Sequence, residues 1–250
     1  MLILTLIAPA VALSAPDIPA GEAAQQYNAA NGFYRDGRFE EAVNAYNELI
    51  ESGIVNPDLF YNASNASYRS GSLGLAILYL ERAMKLAPSD SDILANLAYL
   101  NSIKTDSEPE NNNAVTAFLS RRYNAININA AALWSGISFA LAMLLLTAAL
   151  YTYGWKRSGA YSAAAVLGII ALFALGILVH KIRYDALVVE AIVMTEKADA
   201  FSGPGEDNTH IFTIHEGTKI VIERSQDDWN LIRLSSGAGG WIHGDVIEKI

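Results

Sequence analysis

Two sets of polar aromatic and amide side chains recur at matched spacing: Tyr27, Asn31 and Tyr34, then Tyr61, Asn65 and Tyr68. A spacing of i, i+4, i+7 puts each set on one helical stripe. Asn offers a peptide backbone both a donor and an acceptor, and Tyr adds rigid area with a polar tip. That chemistry recognises peptides and breaks no bonds. Arg35 and Arg69 follow the two sets as cationic partners, and Asn28, Asn62 and Asn96 lie one step around the helix. The same residues would also serve to pack adjacent helices, and spacing is compatible with both uses.

Other reactive residue types form no site. His210, His215 and His243 have the spacing of no known metal centre. Ser236 to Gly240 is glycine-rich but joins two strand-like runs, so it reads as a hairpin turn and not a phosphate cradle. The sequence has no metalloprotease helix motif, phosphate loop or nucleophile elbow. Its zero cysteines exclude disulfides, thiolate metal sites and a thiol nucleophile. The expectation is a non-catalytic protein with no catalytic residue, metal or cofactor. Trp229 and Trp241 remain, either to line a ligand groove or to close the hydrophobic edge of a small sheet.

The elements that position these residues begin with a repeat. Tyr27 to Gly37 (YNAANGFYRDG) recurs as Tyr61 to Gly71 (YNASNASYRSG), and Asn28, Asn62 and Asn96 share the same 34-residue displacement. Small residues stand where two helices must touch: Ala30, Ser64 and Ala98 on first helices, Ala42 and Ala76 on second helices. Gly37 and Gly71 end the first helices, and Pro88 follows the second helix of the second unit. This pattern over residues 23–103 resembles the tetratricopeptide family. The resemblance implies an all-α solenoid whose first helices line a peptide groove. Relatives that clamp a peptide C-terminus use Lys where this sequence has Tyr27 and Tyr61, which argues against that ligand.

Charge then marks off a membrane segment. Charged residues are 17% of the chain, with 26 acids against 17 bases. No charge occurs between Arg122 and Lys156, nor between Arg157 and Lys181. Net charge is −8 over residues 1–113, +5 over 114–186 and −6 over 187–250. Two transmembrane helices are expected, at 130–153 and 159–180, joined by Gly154 to Ser158 and flanked by aromatic belts. Residues 104–114 read as a linker, and the uncharged Met1 to Ala15 as a signal peptide. A lipid bilayer is thus a partner, and an acidic chain disfavours nucleic acid.

Beyond Asp185 the pattern alternates. Ala191 to Met194, Ile220 to Glu223 and Asn230 to Leu234 look like strands, and an acidic turn into Trp229 precedes a Gly-rich turn into Trp241. Residues 187–250 resemble a bacterial SH3-like barrel. A signal, tetratricopeptide repeats, a two-helix hairpin and an SH3-like barrel in that order resemble the BatE family of aerotolerance-operon envelope proteins. The resemblance implies an interaction scaffold of the inner membrane, working with von Willebrand-type membrane proteins and a MoxR-type ATPase, with peptidoglycan or a second protein at the barrel. A cryptic catalytic or transport component is the alternative. Basic residues lie both in the hairpin loop and on its flanks, so the signal decides topology: both soluble parts are expected outside the cytoplasm.

Overall fold

The computed structural model describes residues 21–106 and 114–250. The expected signal, residues 1–15, and most of the expected linker lie outside the described residues. Within them the chain folds as five short helices, a sixth leading into two long apolar helices, and an antiparallel seven-stranded sheet.

The first five helices are α1 (Glu22–Arg35), α2 (Phe39–Glu51), α3 (Pro57–Arg69), α4 (Leu73–Leu86) and α5 (Ser91–Ile103). Local sequence sets their ends. Gly37 (φ 78°) and Gly71 (φ 92°) take the left-handed conformation that closes α1 and α3. Asn56 caps α3 by accepting from the amides of Asp58 and Leu59, with Pro57 at the first helical position; Asp90 caps α5 in the same way. Small residues let the pairs close: Ala30, Ala42 and Ala76 are fully buried, and the buried Ser64 hydroxyl donates to the Ala76 carbonyl at 2.7 Å. Ala98, expected to do the same on α5, is exposed. Among the described residues, no helix packs over it as α2 and α4 do over Ala30 and Ser64.

A helix that the spacing did not predict, α6 (Ala114–Asn124), leads into α7 (Ile128–Ala149) and α8 (Trp155–Leu187). The last two are long and apolar enough to cross a membrane, with mean hydropathy of 1.9 and 2.6 over their most apolar windows. The reversal falls at residues 150–154, earlier than the expected loop, because Gly154 (φ 60°) makes the turn and Trp155 begins α8. They run antiparallel: the Ser135 hydroxyl donates to the Ala171 carbonyl at 3.2 Å, and Tyr123 Oη lies 2.6 Å from His180 Nδ1. The five-helix unit and the sheet therefore emerge at the same end of the hairpin. At about 1.5 Å per residue α8 is roughly 50 Å long, well beyond the ~30 Å hydrocarbon core. Its C-terminal turns run to Leu187 and pass through Val188 straight into the sheet.

The sheet comprises β1 (Val189–Val193), β2 (Lys197–Phe201), β3 (His210–His215), β4 (Lys219–Gln226), β5 (Trp229–Leu234), β6 (Gly239–His243) and β7 (Ile247–Lys249), in the order β3-β2-β6-β5-β4-β1-β7. A closed barrel was expected. The sheet is open, because edge strands β3 and β7 are not paired and β7 is three residues long. The acidic turn is a two-residue hairpin, with Gln226 opposite Trp229 and Asp227 at φ 51°.

The sheet docks on α4. The small core of the sheet is Ala191, Val193, Ala198, Ala200, Ile214, Ile220, Ile222, Ile232 and Ile242. Ile192, between two of these in sequence, belongs instead to the core of the helices. The approach is close. A Cβ on Gly74 of α4 would lie 2.8 Å from the Val193 carbonyl oxygen, and one on Gly217 (φ 82°) 2.7 Å from Ile77 Cδ1.

Gly74→Val is therefore expected to destabilise the docked unit, since overpacking costs about 1–3 kcal/mol and outweighs any gain in helix propensity. Gly32→Ala, in α1 with nothing within 4 Å, should stabilise by about 1 kcal/mol. Thermal unfolding of the detergent-solubilised chain checks both. Amide exchange at Gly217 and Thr218 should accelerate in the Gly74 variant alone.

Candidate functional site

The tyrosines and asparagines of the repeat lie together on the first helices, and most are bonded to one another. Asn62 of α3 donates from Nδ2 to the Tyr27 hydroxyl at 2.6 Å and to Asn31 Oδ1 at 3.4 Å. One unit on, Asn96 of α5 donates to the Tyr61 hydroxyl at 3.1 Å and to Asn65 Oδ1 at 3.2 Å. Asn31 Oδ1 also accepts from Tyr46 of α2 at 2.6 Å. The result is a ladder whose rungs repeat with the sequence period and join α1 to α3 and α3 to α5. Burial pushes the Tyr27 hydroxyl pKa up against the lowering effect of its bond from Asn62, and pushes that of Tyr46 up further. Both stay protonated.

The ladder has two distinct ends. Asn28, equivalent to Asn62, is exposed and makes no hydrogen bond among the described residues, in which α1 is the first helix. At the other end Ala95 and Tyr99 replace the acceptor pair, and Tyr99 instead meets the Tyr68 hydroxyl at 3.0 Å, ring edge to ring face. Tyr34 packs edge-on to Phe39, and the guanidinium of Arg69 stacks on the same Phe39 ring at 4.4 Å. Arg69 thus joins neighbouring units, while the exposed Arg35 donates to the carbonyl of Asn31 on its own helix.

Ladder bonds use the carbonyl oxygens of Asn31 and Asn65. Among the described residues the amide nitrogens of these two side chains make no hydrogen bond. Two half-buried amide donors, flanked by the exposed Tyr68 and Tyr99, are the groups of this stripe available to a peptide carbonyl.

A second concavity lies on the sheet. Phe201, Trp229 and His243 form an aromatic row, with Trp229 edge-on to Phe201 at 5.7 Å and to His243 at 5.4 Å. With Lys197, Asp199, Glu206 and Val246 they line a cleft of about 440 Å³. Asp245, hydrogen-bonded to His243, raises the pKa of that imidazole. Trp229 thus faces a ligand-sized space. Trp241, 9% exposed, is core. The three histidines of the sheet region do not converge, and no cluster of metal-binding side chains occurs among the described residues.

Sequence reasoning missed a third set, the polar residues that clamp the sheet to the helices. Lys219 Nζ lies 2.9 Å from Glu81 of α4 and 3.2 Å from Glu190 of β1. Burial alone would lower the Lys219 pKa, but the two carboxylates outweigh it and raise it, so the ammonium is held charged. Asp106, in the stretch read as linker, accepts from the His215 amide at 2.7 Å and the Thr218 hydroxyl at 2.7 Å, and lies 2.9 Å from His215 Nδ1. The Glu216 carboxylate accepts from the Gly74 amide at 2.7 Å. One signal was available. At matched positions of the second helices, Glu40 and Asn44 of α2 become Gly74 and Leu78 of α4. A face that is polar in one unit and small or apolar in the next has acquired a neighbour.

No family model matches the chain, and no curated protein matches it.

The ladder predicts unequal effects for equivalent residues. Asn62→Ala removes donors that span two units and should cost about 1–3 kcal/mol. Asn28→Ala should fall within about 0.5 kcal/mol of the parent. Thermal unfolding separates them.

The clamp predicts acid sensitivity. Burial tends to raise the Asp106 pKa, but bonds from Thr218 and His215 outweigh it and hold it below the ordinary value of 3.8. A carboxyl depressed by folding stabilises above its unfolded pKa, and the contribution disappears as pH falls through the lower folded value. Docking should therefore weaken below about pH 4, and Asp106→Asn should flatten that dependence. Lys219→Met leaves Glu81 buried without its cation and should cost about 3–5 kcal/mol at neutral pH. Proteolysis of the β3–β4 turn against pH reads both.

Proposed function

We propose that this chain is a non-catalytic, membrane-anchored interaction scaffold of the cell envelope, built from tetratricopeptide-type repeats and an SH3-like module in the manner of the BatE family. One observation carries the reading. The Tyr–Asn stripe satisfies its own carbonyl oxygens in the inter-repeat ladder, yet leaves the amide donors of Asn31 and Asn65 for an extended peptide. The bound segment belongs to a partner protein, of which the von Willebrand-type membrane proteins of that family are the leading class. The cleft beside Trp229 and Phe201 supplies a second contact, for another protein or for peptidoglycan. Both soluble parts lie at one end of the hairpin, which supports reading them together as outside the cytoplasm, on an inner-membrane anchor, if the N-terminal part is exported as expected.

Asn→Asp substitution tests this, because a carboxylate keeps the acceptor needed by the ladder and replaces the outward donor with a second acceptor. A photo-crosslinking residue at Tyr99 in the membrane-embedded chain should capture a defined partner. Asn31→Asp with Asn65→Asp should reduce that capture roughly ten-fold, from two lost bonds of about 0.5–1.5 kcal/mol each, while unfolding shifts by only a few degrees. Undiminished capture in the double variant would overturn the reading.

A further inference from the structure

The hairpin carries a cleft that anchoring does not require. At the end of α7 and α8 nearest the soluble parts, Ile126, Ala130 and Trp134 face Ile170, Phe173 and Ile177 across a space of about 330 Å³. Small residues make it. Ala131 and Ala174 are buried where the backbones approach, while Trp134 and Phe173 stand out as walls, 65% and 72% exposed. The lining is apolar throughout.

Above the cleft the chemistry changes abruptly. Ile170, Phe173, Ile177 and Lys181 follow one stripe of α8 at steps of three and four residues, so the stripe that floors the cleft leads to the ammonium of Lys181. Phe173 and Lys181 are about 12 Å apart along the helix, roughly the path of an acyl chain from hydrocarbon to headgroup. Tyr123 fixes the mouth: its hydroxyl lies 2.6 Å from His180 Nδ1, and Lys181 Nζ sits 4.6 Å from its ring centroid. Arg122 adjoins Tyr123, and Arg183 follows on α8. The Ser89 hydroxyl, in the α4–α5 turn, donates to the Ala125 carbonyl at 2.8 Å and ties the helical unit beside the opening.

We propose that this cleft binds an anionic phospholipid, with an acyl chain between α7 and α8 and the headgroup phosphate at Lys181 and Arg122. Charge supports that occupant. At this end of the hairpin the sequence sets Arg121, Arg122, Lys181 and Arg183 against the single acid Asp185, between soluble parts of −8 and −6. Acidic parts lying over an anionic surface are repelled by it, so the basic rim is where such a lipid gains energy. The proposal rests on the reading of α7 and α8 as a bilayer-spanning pair.

The test uses the purified full chain, with phosphatidylglycerol and phosphatidylcholine of identical acyl chains supplied in equal amounts. Retained lipid is counted by native mass spectrometry. Phosphatidylglycerol should be enriched roughly five-fold per engaged cation. Lys181→Gln should lower that enrichment by a similar factor, whereas Lys156→Gln at the opposite rim should not. Ala130→Leu, which fills the cleft, should lower retention of both lipids. Equal retention of the two lipids by the parent chain, or an equal effect of Lys156→Gln, would overturn the proposal. Displacement by free glycerol phosphate would also overturn it, since the acyl chain would then contribute nothing. Carbonate extraction from membranes is the separate control: a chain released by carbonate refutes the spanning reading and this inference together, whereas a retained chain with no lipid preference refutes the inference alone.

Discussion

Strand β1 belongs to two cores at once, and the arrangement of the molecule depends on that. Its side chains alternate, as in any strand. Ala191 and Val193 enter the sheet's own core, while Ile192 enters the core of the helices and Glu190 shares the ammonium of Lys219 with Glu81. Lys219 lies opposite Ile192 in the register, so the cation and the apolar contact point to the same face. A slip of one residue would exchange the faces, putting Glu190 into the sheet core and stranding Glu81. Buried ion pairs add little net stability but penalise alternatives heavily. Here the penalty fixes one docking geometry.

That geometry also answers a problem of small repeat arrays. Stacked helix pairs expose an apolar surface wherever the array stops, and short arrays need caps. The Tyr–Asn ladder runs from α1 to α5 and stops because α5 carries Ala95 and Tyr99 in place of an acceptor pair. Helix α4 is consequently the most enclosed of the described helices, with α3 and α5 at its sides and β1 across its remaining face. Leu78 and Leu80, 1% and 0% exposed, show how complete that enclosure is. The sheet does for the second unit what a further helix pair does in a longer array.

Different parts of this design were legible in the sequence to different degrees. The helices of the repeat followed from a period and its glycines, because backbone termination is local chemistry at Gly37 and Gly71. The two long apolar helices followed from the placement of charge. The turn between them lies earlier than the expected Gly154 to Ser158, since Gly154 has already reversed the chain and Trp155 and Lys156 are helical. The asparagines were singled out, but their partners were not, because a bond between Asn62 and Tyr27 depends on how two helices stack. The docked face of α4 left a trace at Gly74 and Leu78, but the clamp's own residues did not, for the same reason: Asp106 reads as one more acid in a polar linker until β3 and β4 are brought beside it. A doubly buried β1 did leave a trace in the continuous apolar run Ala191 to Met194, where a strand with one wet face would alternate.

Continuity of the chain then determines what the parts can do together. Helix α8 passes into β1 through the single residue Val188, and β1 is fixed to α4 by Ile192 and Glu190. The hairpin, the sheet and the repeats are thus coupled through rigid elements where a flexible tether would leave them independent. Under the proposed reading, a peptide on the first-helix stripe and a ligand in the Trp229 cleft would be presented at set positions relative to α7 and α8, which would lower the entropy lost when both engage one assembly. A Gly/Ser tether between α8 and β1 would restore that cost without touching either site. Anchoring alone is satisfied by any apolar hairpin. A helix longer than the hydrocarbon core that ends in a strand shared between two cores would set orientation as well as attachment.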